Sequence, residues 1–365
     1  MRLFERAPQL SPLGSGLLLQ PPGLAILDDL GLLEPALRHG ARILELDGRT
    51  RTGRRVLRLD YRDWTPGSFG LGMHRGALWH LLEQRARAEG IGIEAGREIA
   101  DAAELAGHDL VLLACGARAP IRGTLGFRDR TRMYRWGALW TTVAMPADWK
   151  ADTLAQRFDG TERMMGILPV GLDAAGRGPW VTVFWSERLD RVDALRARGF
   201  DAWKAEALQL WPEARAIIEA IRGFDAFTTA AYADVRVTPW SRGNLALIGD
   251  IAHGTSPQLG QGATLALLDA SALADALAAH PTVEAALPAY ARARRAHARY
   301  YQWSSRMLTP FFQAEGRVIG ALRDAFMGPA GRLPILRNEF LATLTGHKSG
   351  IIFGRIRSDK DRGGQ

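Results

Sequence analysis

Cysteine is nearly absent from these 365 residues, with Cys115 the only one. A single thiol excludes a disulfide framework and a cysteine-based metal cluster. Lysine is almost as scarce, confined to Lys150, Lys204, Lys348 and Lys360, so the net charge of +8 comes from arginine. The arginines are scattered, except for Arg292, Arg294, Arg295 and Arg299 on one expected helix. No basic patch interleaved with aromatics is present, which argues against a dedicated nucleic-acid binder and leaves a general attraction for anionic small molecules. Also missing are a secretory signal and an apolar run long enough to cross a membrane, so a soluble cytoplasmic protein is expected. No His, Asp and Glu residues stand at metal-ligand spacing, and no repeat or low-complexity block occurs. What is plentiful is apolar sequence, 47% of the chain, enough for one large domain or two intimate ones.

The most informative stretch runs from Asn244 to Ala270. Leu245 to Ile248 has the length and composition of a buried strand. Gly249-Asp250 ends it, and a loop with Gly254, Pro257 and Gly260 follows. From Gly262 an Ala- and Leu-rich helix runs to about Ala279. A helix N-terminus carries unpaired N–H groups and about half a positive charge, so it favours an anionic or electron-rich ligand. Gly260 and Gly262 remove side chains where such a ligand would approach the backbone, and Pro257 stiffens the loop. Asp250, at the strand end, can accept hydrogen bonds from sugar hydroxyls.

The run Gly249-Asp250, His253, Pro257, Gly260-Gln261-Gly262, Ala266 and Asp269-Ala270 resembles the second FAD-binding motif of the single-component flavoprotein monooxygenases, the aromatic hydroxylases related to para-hydroxybenzoate hydroxylase. The resemblance implies that Asp250 holds the ribityl chain of FAD and that Pro257, Gly260 and Gly262 line the isoalloxazine ring. Gly249, Gln261 and Ala263 complete the cofactor-binding set on this segment. It also implies an α/β fold: a Rossmann-like FAD-binding layer, an interleaved mixed-sheet substrate domain and C-terminal helices. The expected division is 1–133 for the first part of the FAD domain, with a hairpin insertion at about 41–72. The substrate sheet then takes 134–240, the second FAD part and C-terminal helices 241–355, and a loose tail 356–365.

Elsewhere the resemblance is carried residue by residue. Glu5-Arg6 ends an apolar strand where the family places an acid on the adenosine ribose. The first strand and its G-x-G-x-x-G turn have no counterpart here, and an upstream segment is the expectation. Arg75 opens an amphipathic helix expected over Met73 to Ala86 and resembles the family's FAD-contacting arginine, while His74 reads as structural. Asp109 to Arg122 resembles a third fingerprint in which Asp precedes Gly116. Here that position is Cys115, which weakens the expectation of NADPH use. Cys115 itself reads as a small buried residue, since no His or acid neighbours it in sequence. Strands are expected over Trp136–Ala144, Met164–Val170 and Trp180–Glu187, with helices over about 192–210 and 212–221. Two further strands are expected within 41–61, around Asp47-Gly48 and Thr52-Gly53. Trp140, Met165, Phe184 and Trp185 are candidates to line an aromatic substrate pocket, although sheet core is the blander reading of each. A long helix over Pro281–Ser305 and another over about Arg317–Phe326 close the chain.

The activity implied is FAD-dependent monooxygenation of an aromatic or similarly electron-rich small molecule. NAD(P)H is the reductant and oxygen is delivered from a flavin C4a-hydroperoxide, so no side-chain nucleophile and no metal are called for. Two alternatives stay open: another flavin oxidoreductase, halogenase- or reductase-like, and a non-catalytic remnant. The Trp-rich motif that a halogenase needs near its N-terminus is not seen.

Overall fold

The computed structural model describes residues 1–10, 16–330, 333–350 and 354. Its largest element is a seven-stranded mixed sheet. In spatial order the strands are Thr228–Thr238, Arg128–Ala144, Trp180–Arg188, Arg163–Gly171, Thr153–Asp159, Glu45–Thr50 and Arg55–Asp60. All neighbours are antiparallel except Thr153–Asp159 with Glu45–Thr50.

Alternation along these strands sorts side chains to two faces. In register, Leu139 lies opposite Trp185 and Trp185 opposite Met165. That face is covered by helices Val192–Ala197, Phe200–Leu210 and Arg215–Ala220, whose Leu195, Trp203, Leu210, Ile217 and Ile218 complete a closed apolar core. The other face carries Ala138, Trp140, Met164, Leu168 and Phe184, which pack toward Leu18, Phe312, Leu341 and Leu344. It therefore looks onto the rest of the molecule.

The second layer holds two parallel strand pairs. Arg2–Glu5 pairs with Gly92–Ala95, and Val111–Leu113 pairs with Leu245–Leu247. A small antiparallel sheet of Gly16–Leu19, Gly70–His74 and Ala41–Ile43 packs on the large sheet, with Gly16 against Val170 and Gly72 against Pro169. Helix Gly262–Ala279 packs on helices Val283–Phe312 and Pro21–Asp29. By length and composition, with a mean hydropathy of 1.4, Gly262–Ala279 is apolar enough to cross a membrane. This corrects the expectation that no apolar run is long enough. In the fold that helix buries Leu265, Asp269 and Leu273 against its neighbours.

Several boundaries move. Asp47-Gly48 lies inside strand Glu45–Thr50 with a bulge after it, and the chain turns at 51–54, over Thr52-Gly53 as expected. Both of these strands belong to the large sheet. Met73 and His74 end a strand, and the helix begins at Arg75, where the His74 ring accepts the Gly76 N–H as an N-cap. Strand Thr153–Asp159 and helices Leu33–His39 and Pro334–Leu344 were not expected. The long helix runs on to Phe312 and contains Pro288 and Pro310. All of the tail expected at 356–365 lies outside the described residues, as do 11–15.

Candidate active site

Strand Leu245–Leu247 delivers the chain to Gly249, whose φ of 71° is open to glycine and strained for other residues. One helical turn, Asp250–His253, follows, and then a 3₁₀ turn over Pro257–Leu259. Gly260 closes that turn with φ 61°, and helix Gly262–Ala279 starts two residues later. A methyl on Gly262 would find nothing nearer than Asp250 Oδ1 at 3.9 Å, so space opens in front of the first helical turn. The first N–H groups of a helix have no partner within it.

Asp250 is exposed, and its carboxylate makes no hydrogen bond or ion pair among the described residues. Gln20 supplies a feature that sequence reasoning missed. Its side chain is fully buried, its Oε1 accepts the Tyr61 hydroxyl at 2.7 Å, and its Nε2 has no partner. That orphaned donor lies 3.9 Å from where a Gly260 Cβ would be. Its backbone N–H is taken by Thr264 Oγ1 at 3.1 Å, which fixes strand Gly16–Leu19 against the helix. The only sequence signal was a polar residue between an apolar run and Pro21-Pro22.

Behind the loop lies a buried network. Asp269 Oδ2 accepts the Gly249 N–H at 2.9 Å and His253 Nε2–H at 2.5 Å, and Oδ1 accepts Arg294 Nε–H at 2.8 Å. Burial alone would raise the Asp269 pKa, but His253, Arg294 and the Gly249 N–H together hold it below the usual carboxylate range. Arg294 also donates to His297 Nδ1 at 3.0 Å, which leaves His297 Nε2–H to donate to the Gly346 carbonyl at 3.0 Å. Burial, and then the Arg294 charge, push His297 down to about 3, so it stays neutral. The Gly-Asp turn is thus braced from the inside, and His253 and Asp269 belong to the brace rather than to the open side.

The other expected residues fall as follows. Pro257 begins the 3₁₀ turn, and the flanking Ser256 and Gln258 tie it to Thr309 and Gln313 at 2.9 and 3.0 Å. Gln261 turns inward, donating to the Leu344 carbonyl at 2.7 Å, so only its backbone faces the open side. Ala263 lies in the first helical turn. Arg75 is exposed at the start of its helix, close enough to Tyr232 to act on that hydroxyl. Glu5 accepts the Ala7 N–H at 2.8 Å, and Arg6 is exposed beside it. Cys115 is exposed, not buried as expected, because its strand ends at Leu113 and leaves it on the rim. Neighbouring chain still desolvates the thiol and pushes its pKa up, with Glu5 adding to the effect.

The pocket candidates separate. Met165 and Trp185 are fully buried on the helix-covered face of the large sheet and touch no space beside the loop. The reason is parity: both sit one residue out of step with the face that looks onto the loop. Trp140 and Phe184 are on that face, their rings 5.1 Å apart, and Trp140 Nε1–H donates to the Tyr232 hydroxyl at 2.8 Å. Burial, eased by that hydrogen bond and by Arg75, pushes Tyr232 up to about 12, so it remains a neutral donor.

A braced Gly-Asp turn that leads through a Gly/Pro loop into a helix N-terminus is an arrangement suited to a nucleotide cofactor. The chain belongs to the FAD binding domain family, whose model matches residues 109–302. It is a flavin-dependent monooxygenase by class. Its sequence is 28% identical to 6-methylpretetramide 4-monooxygenase of Streptomyces rimosus over 98% of this chain and 88% of that protein. It is 25% identical to 2-heptyl-3-hydroxy-4(1H)-quinolone synthase of Mycobacteroides abscessus over 90% and 86%. In fold it matches 2-methyl-3-hydroxypyridine-5-carboxylic acid oxygenase with a TM-score of 0.75 and 21% identity, covering 98% of this chain and 91% of that one. These relatives favour the monooxygenase over the halogenase-like, reductase-like and remnant alternatives.

Proposed function

We propose that FAD is held at the N-terminal end of helix Gly262–Ala279 and that the enzyme uses NAD(P)H to hydroxylate an aromatic or similarly electron-rich small molecule. The donor set fits the cofactor. Asp250 offers an unpaired acceptor for ribityl hydroxyls. The N–H groups of Gly262 and Ala263, with the orphaned Gln20 Nε2–H, offer donors to the carbonyl edge of the ring. Glu5 and Arg6 are the candidates for the adenosine end, and Arg75 supplies a fixed planar cation. Pro257, Gly249 and Gly260 shape the loop. The observation that carries this reading is the buried, unpartnered Gln20 amide beside Gly260, since such a donor is costly without a ligand.

When bound and reduced, FAD supplies the oxygen-activating chemistry, one atom of dioxygen passing to the substrate and the other leaving as water. The protein's part is orientation and exclusion of water. Trp140 and Phe184 offer a flat apolar wall, and Tyr232 offers a neutral hydroxyl at its edge. The relatives' names, a quinolone synthase, a pretetramide monooxygenase and a hydroxypyridinecarboxylic acid oxygenase, favour ring substrates.

The test is a flavin absorption titration of the purified chain with FAD, followed by a ring-substrate screen under isotopically labelled dioxygen. Stoichiometric flavin and one labelled oxygen in the product are expected. Failure to bind FAD, or NAD(P)H consumption that never labels any product, would refute the reading. Replacing Asp250 with Ala should weaken FAD by about tenfold or more, the loss of hydrogen bonds to one charged group. The fold should remain intact, because the side chain is exposed.

A further inference from the structure

The large sheet projects a two-stranded ribbon past its other strands. Arg128 to Met133 pairs with Ala233 to Thr238, antiparallel, with Arg132 opposite Asp234, Arg130 opposite Arg236 and Arg128 opposite Thr238. Residues two apart share a face, as do cross-strand partners, so Arg128, Arg130, Arg132 and Arg236 form one cationic row. All four are exposed. Arg128, Arg130 and Arg132 have no ion-pair partner among the described residues, and Arg236 reaches only Asp234, at 3.4 Å. Like charges directly opposite each other work against strand pairing. The Arg130–Arg236 pair is therefore a cost to the fold that an anion would relieve.

The row leads to a polar cluster against the flavin loop. Asp234, only 7% exposed, keeps Oδ2 near Arg306 at 3.3 Å, while its Oδ1 has no partner. The hydroxyls of Tyr134 and Thr255 are buried and unpartnered as well. Tyr134 faces Thr255, Ser256 and the Asp234 carboxylate without an aligned hydrogen bond to any of them. The Val235 N–H donates to the Gly254 carbonyl at 2.9 Å, which pins this end of the ribbon to the loop that precedes Pro257.

We propose that this ribbon seats the nicotinamide dinucleotide reductant: its phosphates lie on Arg128, Arg130, Arg132 and Arg236, and its carboxamide meets Asp234, Tyr134 and Thr255. The chemistry matches end for end. A dinucleotide carries at least two phosphate charges, which the planar guanidinium groups bind bidentately. Its carboxamide offers N–H donors to a bare carboxylate oxygen and a carbonyl to two free hydroxyls. Burial raises the Asp234 pKa against the pull of Arg236 and Arg132, which eases the approach of an anion. A reductant anchored here has its hydride-bearing end beside the loop assigned to the flavin. The inference rests on the NAD(P)H reading given above.

The decisive experiment measures NADP⁺ affinity of the FAD-loaded protein by calorimetry, with no turnover possible. Arg130→Ala and Arg132→Ala should each weaken binding about tenfold, with the visible flavin spectrum unchanged, and wild-type affinity should fall steeply with salt. Tyr134→Phe should weaken nicotinamide mononucleotide as well as NADP⁺. An affinity within about twofold of wild type in the Arg130→Ala/Arg132→Ala protein would overturn the site. If alanine costs the protein its flavin, the lysine replacements at 130 and 132, which keep the charge, decide the matter. They should bind NADP⁺ more weakly than wild type, and equal affinity together with no salt dependence would overturn the proposal. Wild-type protein that ignores both NADP⁺ and NAD⁺ would sink the site and the reductant together. Oxygenation by dithionite-reduced protein tests the flavin reading separately.

Discussion

At the scale of single residues, the molecule separates polar groups left without a partner beside the loop from groups that brace the fold. Asp250 and Gln20 are of the first kind, and Asp269 and His297 are of the second. Asp269→Ala would leave Arg294 buried with its charge unpaired, so a loss of about 3–5 kcal/mol is expected by thermal or denaturant unfolding. His297 also sets a pH signature. Its folded pKa, about 3, lies below the ordinary 6.5, so between those values the unfolded chain binds the extra proton. Its contribution to stability is complete above about 6.5 and is lost as pH falls toward 3. Asp269, held below its ordinary range, acts in the same direction at the acid end. Denaturation midpoints measured from neutral pH downward should fall more steeply for wild type than for His297→Gln. Of these residues only Asp250 and its neighbours were singled out from the sequence, because Gly-Asp followed by a Gly/Pro loop is local chemistry. Gln20 was invisible, because an orphaned amide is defined only by what surrounds it in three dimensions.

At the scale of elements, the two faces of the large sheet set different expectations for similar side chains. Trp185→Ala removes a fully buried ring packed edge-on against Trp203 at 5.8 Å, and a destabilisation of about 3–5 kcal/mol should appear in unfolding curves. Trp140→Ala, on the opposite face and only half-buried, should spare stability more and weaken substrate affinity instead, as read from KM. A loss of stability equal to that of Trp185→Ala, with KM unchanged, would place Trp140 in the core. Hydropathy marked both as strand residues. It did not say which face turned toward the loop, because parity depends on register and on bulges such as those at Pro169–Gly171 and Ala231–Ala233. Strand Thr153–Asp159 was missed for a related reason: Gln156 and Arg157 interrupt its apolar content, and the sheet supplies the order that composition does not. The strand–loop–helix over 245–279 was legible because turn residues and helix composition both act locally.

At the scale of the whole molecule, stability is unevenly distributed. The pair Arg2–Glu5 and Gly92–Ala95 contains no fully buried residue, whereas Val181, Val183 and Trp185 have no exposure at all. Hydrogen exchange should therefore be fast through the first pair and slowest through the centre of the large sheet. Equal protection in the two regions would contradict this packing. The two layers are joined at the loop itself, since Gln258 bonds Gln313 and Gln313 in turn bonds Ser186 at 2.8 Å.

The far end of the chain is stitched to the same loop. Gln261 holds the last carbonyls of helix Pro334–Leu344, and His297 holds the carbonyl of Gly346. A protease cut or an engineered stop just before residue 346 would act as a remote dimmer on the proposed cofactor seat, loosening it while leaving the residues proposed to face the ligand in place.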